Sequence, residues 1–178
     1  MFRRALDALY LVSAGLAGLS LFGIFLVMMA QVFLRQWNIQ VQGADDFTAY
    51  LCVATTFFAL AYTFKRGELI RVGLFIERFG PRKRRWVELF VLSLAACMLA
   101  YIVRWTFSDA MFSLEIEEVA QGSVAFLLWI PKLAIPGGVG ILLIAVIDEW
   151  VIVWRGEKPS YVRAAEERAA SGDFSAEM

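Results

Sequence analysis

The stretch LYLVSAGLAGLSLFGIFLVMMAQVFL, Leu9 to Leu34, contains no charged residue. About 20 apolar residues cross the hydrocarbon core of a bilayer as a helix, so this segment predicts a transmembrane span over 9–34. Arg3 and Arg4 precede it, as in a secretory signal. The apolar run nonetheless far exceeds the roughly 7 to 15 residues of a signal core, and it reads as a retained first span. Within it, Ala14 and Gly18 make a small-xxx-small pair, a spacing that lets another helix backbone come close in lipid.

Outward from this block, the same reading predicts further spans over 47–64, 87–107 and 124–154. Hydrophobic residues make up 60% of the chain and charged residues 19%, against roughly half and a quarter in soluble domains. That excess sits in long blocks and not in amphipathic stripes, so it belongs to lipid-facing helices. The third block repeats the small-residue spacing at Ala96 and Ala100. The fourth is interrupted by Pro131, Lys132, Pro136, Gly137, Gly138 and Gly140. Counting back from Asp148 and Glu149 by the length needed to cross places Lys132 near the far interface. The expectation is one tilted or kinked helix, irregular on that side.

Charge is balanced overall, 17 basic against 17 acidic residues, which gives no reason to expect a nucleic-acid partner. Its distribution is informative. Lys65, Arg66, Arg71, Arg78, Arg82, Lys83, Arg84 and Arg85 face only Glu68 and Glu77, whereas Ser108 to Ser123 holds Asp109, Glu115, Glu117 and Glu118 with no basic residue. Lys and Arg in short loops mark the cytoplasmic side. The amino terminus, the central basic loop and the charged tail 155–178 then share that side, and four spans return both termini to it. Inside the basic loop, Val72, Phe75, Ile76 and Phe79 recur at helical spacing opposite Arg71, Arg78, Arg82 and Arg85. The pattern predicts a short amphipathic helix over about 68–80, between the second and third spans, its basic face toward anionic lipid headgroups. The predicted fold class is therefore an all-α integral membrane protein: four transmembrane helices in a single membrane domain, plus one interfacial helix.

Catalytic chemistry finds little to work with. Histidine is absent, which removes the commonest metal ligand and neutral-pH proton shuttle. Cys52 and Cys97 lie far apart without C-x-x-C spacing and read as small buried apolar residues. No nucleotide, hydrolase or metalloprotease motif is present, and no cofactor is expected. The acidic pairs Asp45–Asp46, Glu117–Glu118 and Asp148–Glu149 fall at helix ends or in loops. Asp45 and Asp46 suit the start of the second helix, where carboxylates favour the positive end of the helix dipole. Asp148 and Glu149 suit an interface location, or a basic partner on another helix or subunit. Thr55 and Thr56 are the modest polar candidates near a midplane.

The run FFALAYTFKRGELIRVGLFIERF, Phe57 to Phe79, preceded by Asp45 and Asp46, resembles the small membrane subunit of tripartite ATP-independent periplasmic (TRAP) transporters. Asp46, Arg66, Gly67, Arg71 and Val72 match an acidic helix start, an arginine-glycine turn and an R-V step, and Trp129, Pro131, Pro136 and Gly137 follow the order of a W-x-P element. Glu68 and Ala59 depart from the usual histidine and glycine. The resemblance implies a non-catalytic subunit in the bacterial inner membrane. It implies two partners: a large membrane subunit carrying substrate and sodium sites, and a periplasmic substrate-binding protein delivering organic acids or related solutes. Ala14, Gly18, Ala96 and Ala100 are then the candidate interface with the large subunit, and Glu115, Glu117 and Glu118 a candidate contact for the periplasmic partner. A self-sufficient homodimeric transporter and a four-helix membrane enzyme are the alternatives from other classes.

Overall fold

The computed structural model describes residues 2–39, 41–66, 81–120 and 124–156, with side chains from Leu6 in the first helix and from Arg85 in the third. The described residues form α1 (Phe2–Gln36), α2 (Ala44–Arg66), α3 (Pro81–Glu115), a single turn α4 (Trp129–Lys132) and α5 (Ala134–Arg155). Four stretches are long and apolar enough to cross a membrane: Leu6–Gln36, Ala44–Arg66, Arg85–Glu115 and Trp129–Arg155. Among the described residues extended pairing is confined to one isolated antiparallel bridge, Val119 with Leu127. The interfacial helix expected over about 68–80, with Arg71 and Arg78, lies outside the described residues.

α1 and α3 outrun the segments expected at 9–34 and 87–107. Each has 35 residues, about 52 Å at 1.5 Å per residue, against roughly 30 Å of hydrocarbon. Nothing in Ser108 to Glu115 is Gly or Pro, so helical hydrogen bonding continues past the apolar block. At the other end Pro81 opens α3, where a missing N–H is harmless and a fixed φ is already helical.

The helices pack in the order α1, α2, α5, α3, as a row one helix thick; α1 reaches α5 only slightly, and α1 and α3 form no packed interface among the described residues. The α1 seam runs Leu6, Tyr10, Ser13, Ala17, Ser20, Ile24, Val27, Gln31 and Leu34, buried or half-buried throughout. Steps alternating four and three residues make a heptad-like stripe, the geometry of helices crossing at about +20°. Buried Ser13 donates its Oγ hydrogen to the Phe58 carbonyl at 2.5 Å, tying α1 to α2. The core gathers toward one end, where Leu6 and Tyr10 of α1, Ala61 and Phe64 of α2, Leu92 of α3 and Ala145, Val146 and Val153 of α5 meet.

α5 is the most enclosed span. Its approach to α2 depends on Gly138: a Cβ there would lie 2.6 Å from the Phe57 carbonyl carbon and 2.7 Å from its oxygen. The irregularity expected in the fourth block takes a definite form. Residues 124–128 are not helical, α4 makes one turn, and α5 begins after Leu133 with Pro136 in its first turn. At the far end Gly156 takes φ +83° and closes α5, its N–H reaching the Val153 carbonyl at 3.0 Å.

Candidate functional sites at the two ends of the row

The charged residues of the spans gather at opposite ends, and each end brings together groups distant in sequence. At the basic end Lys65, next to last in α2, pairs with Asp148 of α5 and stands 3.9 Å from Glu149 Oε1. Glu149 is fully buried, and the Lys65 and Asp148 side chains are largely so. The Lys65 ammonium also lies 5.0 Å from the centre of the Tyr10 ring, within cation–π range. A cleft of about 570 Å³ opens beside this cluster between α1, α2 and α5. On the other side of α5, the Arg85 guanidinium donates to the Trp154 carbonyl, and Trp150 stacks on Trp154 while its Nε1–H donates to Ser93 Oγ at 2.9 Å.

At the acidic end Lys132 of α4 donates to Ser113 Oγ at 2.5 Å and Glu118 Oε2 at 2.9 Å, and lies 3.1 Å from Asp109 Oδ2. The buried Ser113 hydroxyl donates in turn to Glu118. The loop following α3 is folded onto this clasp: Leu128 N–H reaches the Glu118 carbonyl and Ala120 N–H the Phe126 carbonyl, each at 2.9 Å. Phe126 packs against Phe47 and Tyr50 of α2, with ring centres 5.2 and 5.3 Å away. Val124 lies over Gly43, whose φ of +76° excludes an easy substitution.

Hydrogen bonds from Ser113 and then Lys132 hold the Glu118 carboxyl below the usual carboxylate range. The folded form thus prefers the ionised acid, and the contribution is complete above the unfolded value of about 4.3. It is lost as pH falls through the lower folded value. Thermal scans following tryptophan emission from pH 7 to pH 3 should show a loss of stability below about pH 4.3 that is smaller in Glu118→Gln; identical acid profiles would remove Glu118 from the clasp.

The structure separates the residues proposed from sequence. Gly18 and Ala100 are exposed and Ala14 half-buried, whereas Ala96 packs against the internal core. The close-packed α1 stripe is the neighbouring one, Ser13, Ala17 and Ser20, and a Cβ at Gly18 would meet nothing within 4 Å. Glu115 and Glu117 are exposed, while Glu118 is engaged within the chain. Arg85 lies in α3, exposed but with its guanidinium on Trp154; Arg82 also falls in α3, its side chain outside the described residues. Cys52 and Cys97, expected to be buried, are free and exposed on the helix surface, where lipid accepts a small apolar side chain as readily as a core does. Asp45 and Asp46 lie in the first turn of α2, Asp45 accepting from Gln31 Nε2 at 3.1 Å. Thr55 and Thr56 donate to the carbonyls four residues back, Leu51 and Cys52, at 2.8 and 2.9 Å, an arrangement that satisfies a hydroxyl in lipid without a partner helix. Sequence reasoning missed the four-residue clasp; for Asp148 it offered a basic partner on another helix without naming Lys65, which fills that place. The available signal was a lone lysine in an apolar block facing an acidic loop.

Among the described residues no group of three or more His, Cys, Asp and Glu side chains is placed to hold a metal ion. No curated protein and no solved structure gives a significant match to the chain. The family model described as "Tripartite ATP-independent periplasmic transporters, DctQ component" matches residues 24–156, from the middle of α1 to the close of α5. With four membrane-crossing helices and a match over most of its length, the chain belongs to the DctQ family, a small membrane component of TRAP transporters.

Proposed function

We propose that this chain is the non-catalytic small membrane subunit of a secondary active, sodium-coupled transporter. It scaffolds and anchors a large membrane subunit that takes up organic acids or related solutes delivered by a periplasmic substrate-binding protein. The family match carries this reading. The placement of polar groups supports it, because the described clusters pair within the chain at its two ends, while an autonomous carrier needs coordinating groups near the bilayer midplane.

In this reading both termini and the basic loop are cytoplasmic and the acidic clasp is periplasmic, following the bias of Lys and Arg. The open stripe of Ala14 and Gly18 on α1, with Ala100 on α3, receives the large subunit, and Ala96 supports that face from within. Arg71, Arg78, Arg82 and Arg85 face anionic headgroups on the cytoplasmic side. Glu115, at the end of α3, and Glu117, in the loop after it, offer the periplasmic partner an acidic rim, with Glu118 fixing that loop.

Gly18→Leu tests the interface directly. Space at Gly18 is open, so the variant should insert and fold normally, while the added bulk should cost a close helix contact about 1–3 kcal/mol and lower co-purification of the large subunit about tenfold. Undiminished co-purification would take this stripe out of the interface. A tagged chain that emerged alone and transported solute after reconstitution would overturn the accessory role. So would labelling of a cysteine placed in the tail from the periplasmic side of intact cells.

A further inference from the structure

α3 carries a cation within its membrane-crossing stretch that no other described group of the chain answers. Arg104 stands five residues before Asp109, which puts it about 7.5 Å farther from the acidic end along the helix axis. It is exposed on the helix surface, and among the described residues its guanidinium has neither an ion pair nor a hydrogen-bond partner. Lys132 supplies the contrast, since Asp109, Ser113 and Glu118 all reach it. Asp109 does not serve both cations: at 3.6 residues per turn it projects about 140° around α3 from Arg104. An ionised side chain in a transmembrane segment is costly unless it is paired, and it marks a functional contact.

The neighbours of Arg104 narrow the partner. Tyr101, about one turn deeper on the exposed side of α3, is 68% exposed, and its phenol also has no hydrogen-bond partner among the described residues. Helical side chains lean toward the amino end of their helix, which for Tyr101 is away from the headgroups at the acidic end. A lipid phosphate at that surface can meet Arg104 by snorkelling, but it leaves the Tyr101 hydroxyl unanswered. A carboxylate held inside the apolar zone answers both, taking two parallel N–H bonds from the guanidinium and one O–H bond from the phenol. Trp105, as exposed as Tyr101, completes a set of Tyr, Arg and Trp, the side chains that most often dominate protein–protein contacts. Ala100, exposed one turn before Arg104 on the same side, makes this surface continuous with the face proposed to receive the large subunit.

We infer that Arg104 and Tyr101 together bind a carboxylate presented by a transmembrane helix of the large subunit, with Trp105 packed beside the pair. The inference rests on the reading of this chain as a transporter subunit, and it adds the polar anchor of that contact and the chemistry of the group that meets it.

The test co-expresses the tagged full-length chain with its large subunit and measures the large subunit recovered over a dilution series in mild detergent. Arg104→Leu should weaken association at least about tenfold, because it leaves the partner's carboxylate unpaired. Arg104→Lys should keep part of the affinity, since the charge remains and the planar fork is lost. Tyr101→Phe should weaken association by a smaller factor. Helix content should stay unchanged in all three, as neither side chain bonds to a described group of the chain. A photoreactive benzoylphenylalanine in place of Trp105, with Arg104 and Tyr101 intact, should give an adduct of the large subunit, and this arm holds even if Arg104→Leu does not fold. Undiminished recovery with Arg104→Leu, or an adduct carrying lipid alone, would overturn the anchor and leave the subunit reading standing. A parent chain that recovered no large subunit would remove that reading, and the anchor with it.

Discussion

Replacing Lys65 with methionine is expected to destabilise the folded chain by about 3–5 kcal/mol, the cost of removing one partner from a buried charge pair. The ammonium is the cation that α2 presents to Asp148 and Glu149 of α5. Methionine fills a similar volume, so the loss isolates the charge and not the packing. The neutralised combination Lys65→Met, Asp148→Asn, Glu149→Gln should recover much of the stability, since replacing the partners of a buried ionic group together by near-isosteres is often close to neutral. Tryptophan-monitored unfolding in mild detergent reads both results. A Lys65→Met melting temperature equal to the parent's would mean that the carboxylates are held adequately without the lysine.

The second large effect lies ten residues earlier in α5. Gly138→Ala places a methyl group 2.6–2.7 Å from backbone atoms of Phe57, and these cannot move aside as a flexible side chain does. The clash is relieved only by parting α2 from α5, the junction that joins the two halves of the row. Overpacking of this kind costs about 1–3 kcal/mol and sometimes more, and Gly138→Leu should prevent the helices from meeting. Neighbouring glycines supply the control. An added Cβ at Gly137 meets Phe58 at an ordinary 3.7 Å, and at Gly140 it meets nothing, so alanine at either should be neutral or slightly stabilising, as expected inside a helix. Equal effects at all three positions would show that helix propensity, and not close approach, explains the glycines.

Hydropathy made the four spans legible because lipid selects for long uncharged blocks, and no other common environment rewards Leu9 to Leu34. The charged poles were legible for a similar reason, since charge must collect where water is. Helix ends were less so. Hydropathy marks where lipid stops, but α3 continues through the mixed segment 108–115, with Ser108, Asp109, Ser113 and Glu115 among apolar residues, until its hydrogen bonding is broken. The internal packing stripe on α1 is the neighbouring one, Ser13, Ala17 and Ser20; Ser13–Ala17 and Ala14–Gly18 are both small-residue pairs, and spacing alone does not say which of two adjacent stripes packs within the chain. The Lys65–Asp148 pair joins residues 83 apart, and the sequence shows that each needs an interface without showing that α2 and α5 are neighbours. Residues 124–128 misled for a different reason. They are apolar enough for a span, yet Phe126 is held against Phe47 and Tyr50 outside any helix.

Four helices standing in a line, each gripping mainly its immediate neighbours, form a hinged screen and not a barrel. Bending about hinges parallel to the helix axes changes few internal contacts, so the curvature of the screen is its softest coordinate, stiffened chiefly where α1 leans toward α5 at the basic end. A bundle imposes its own outline on whatever docks against it; this molecule has the mechanics to take its outline from a neighbour.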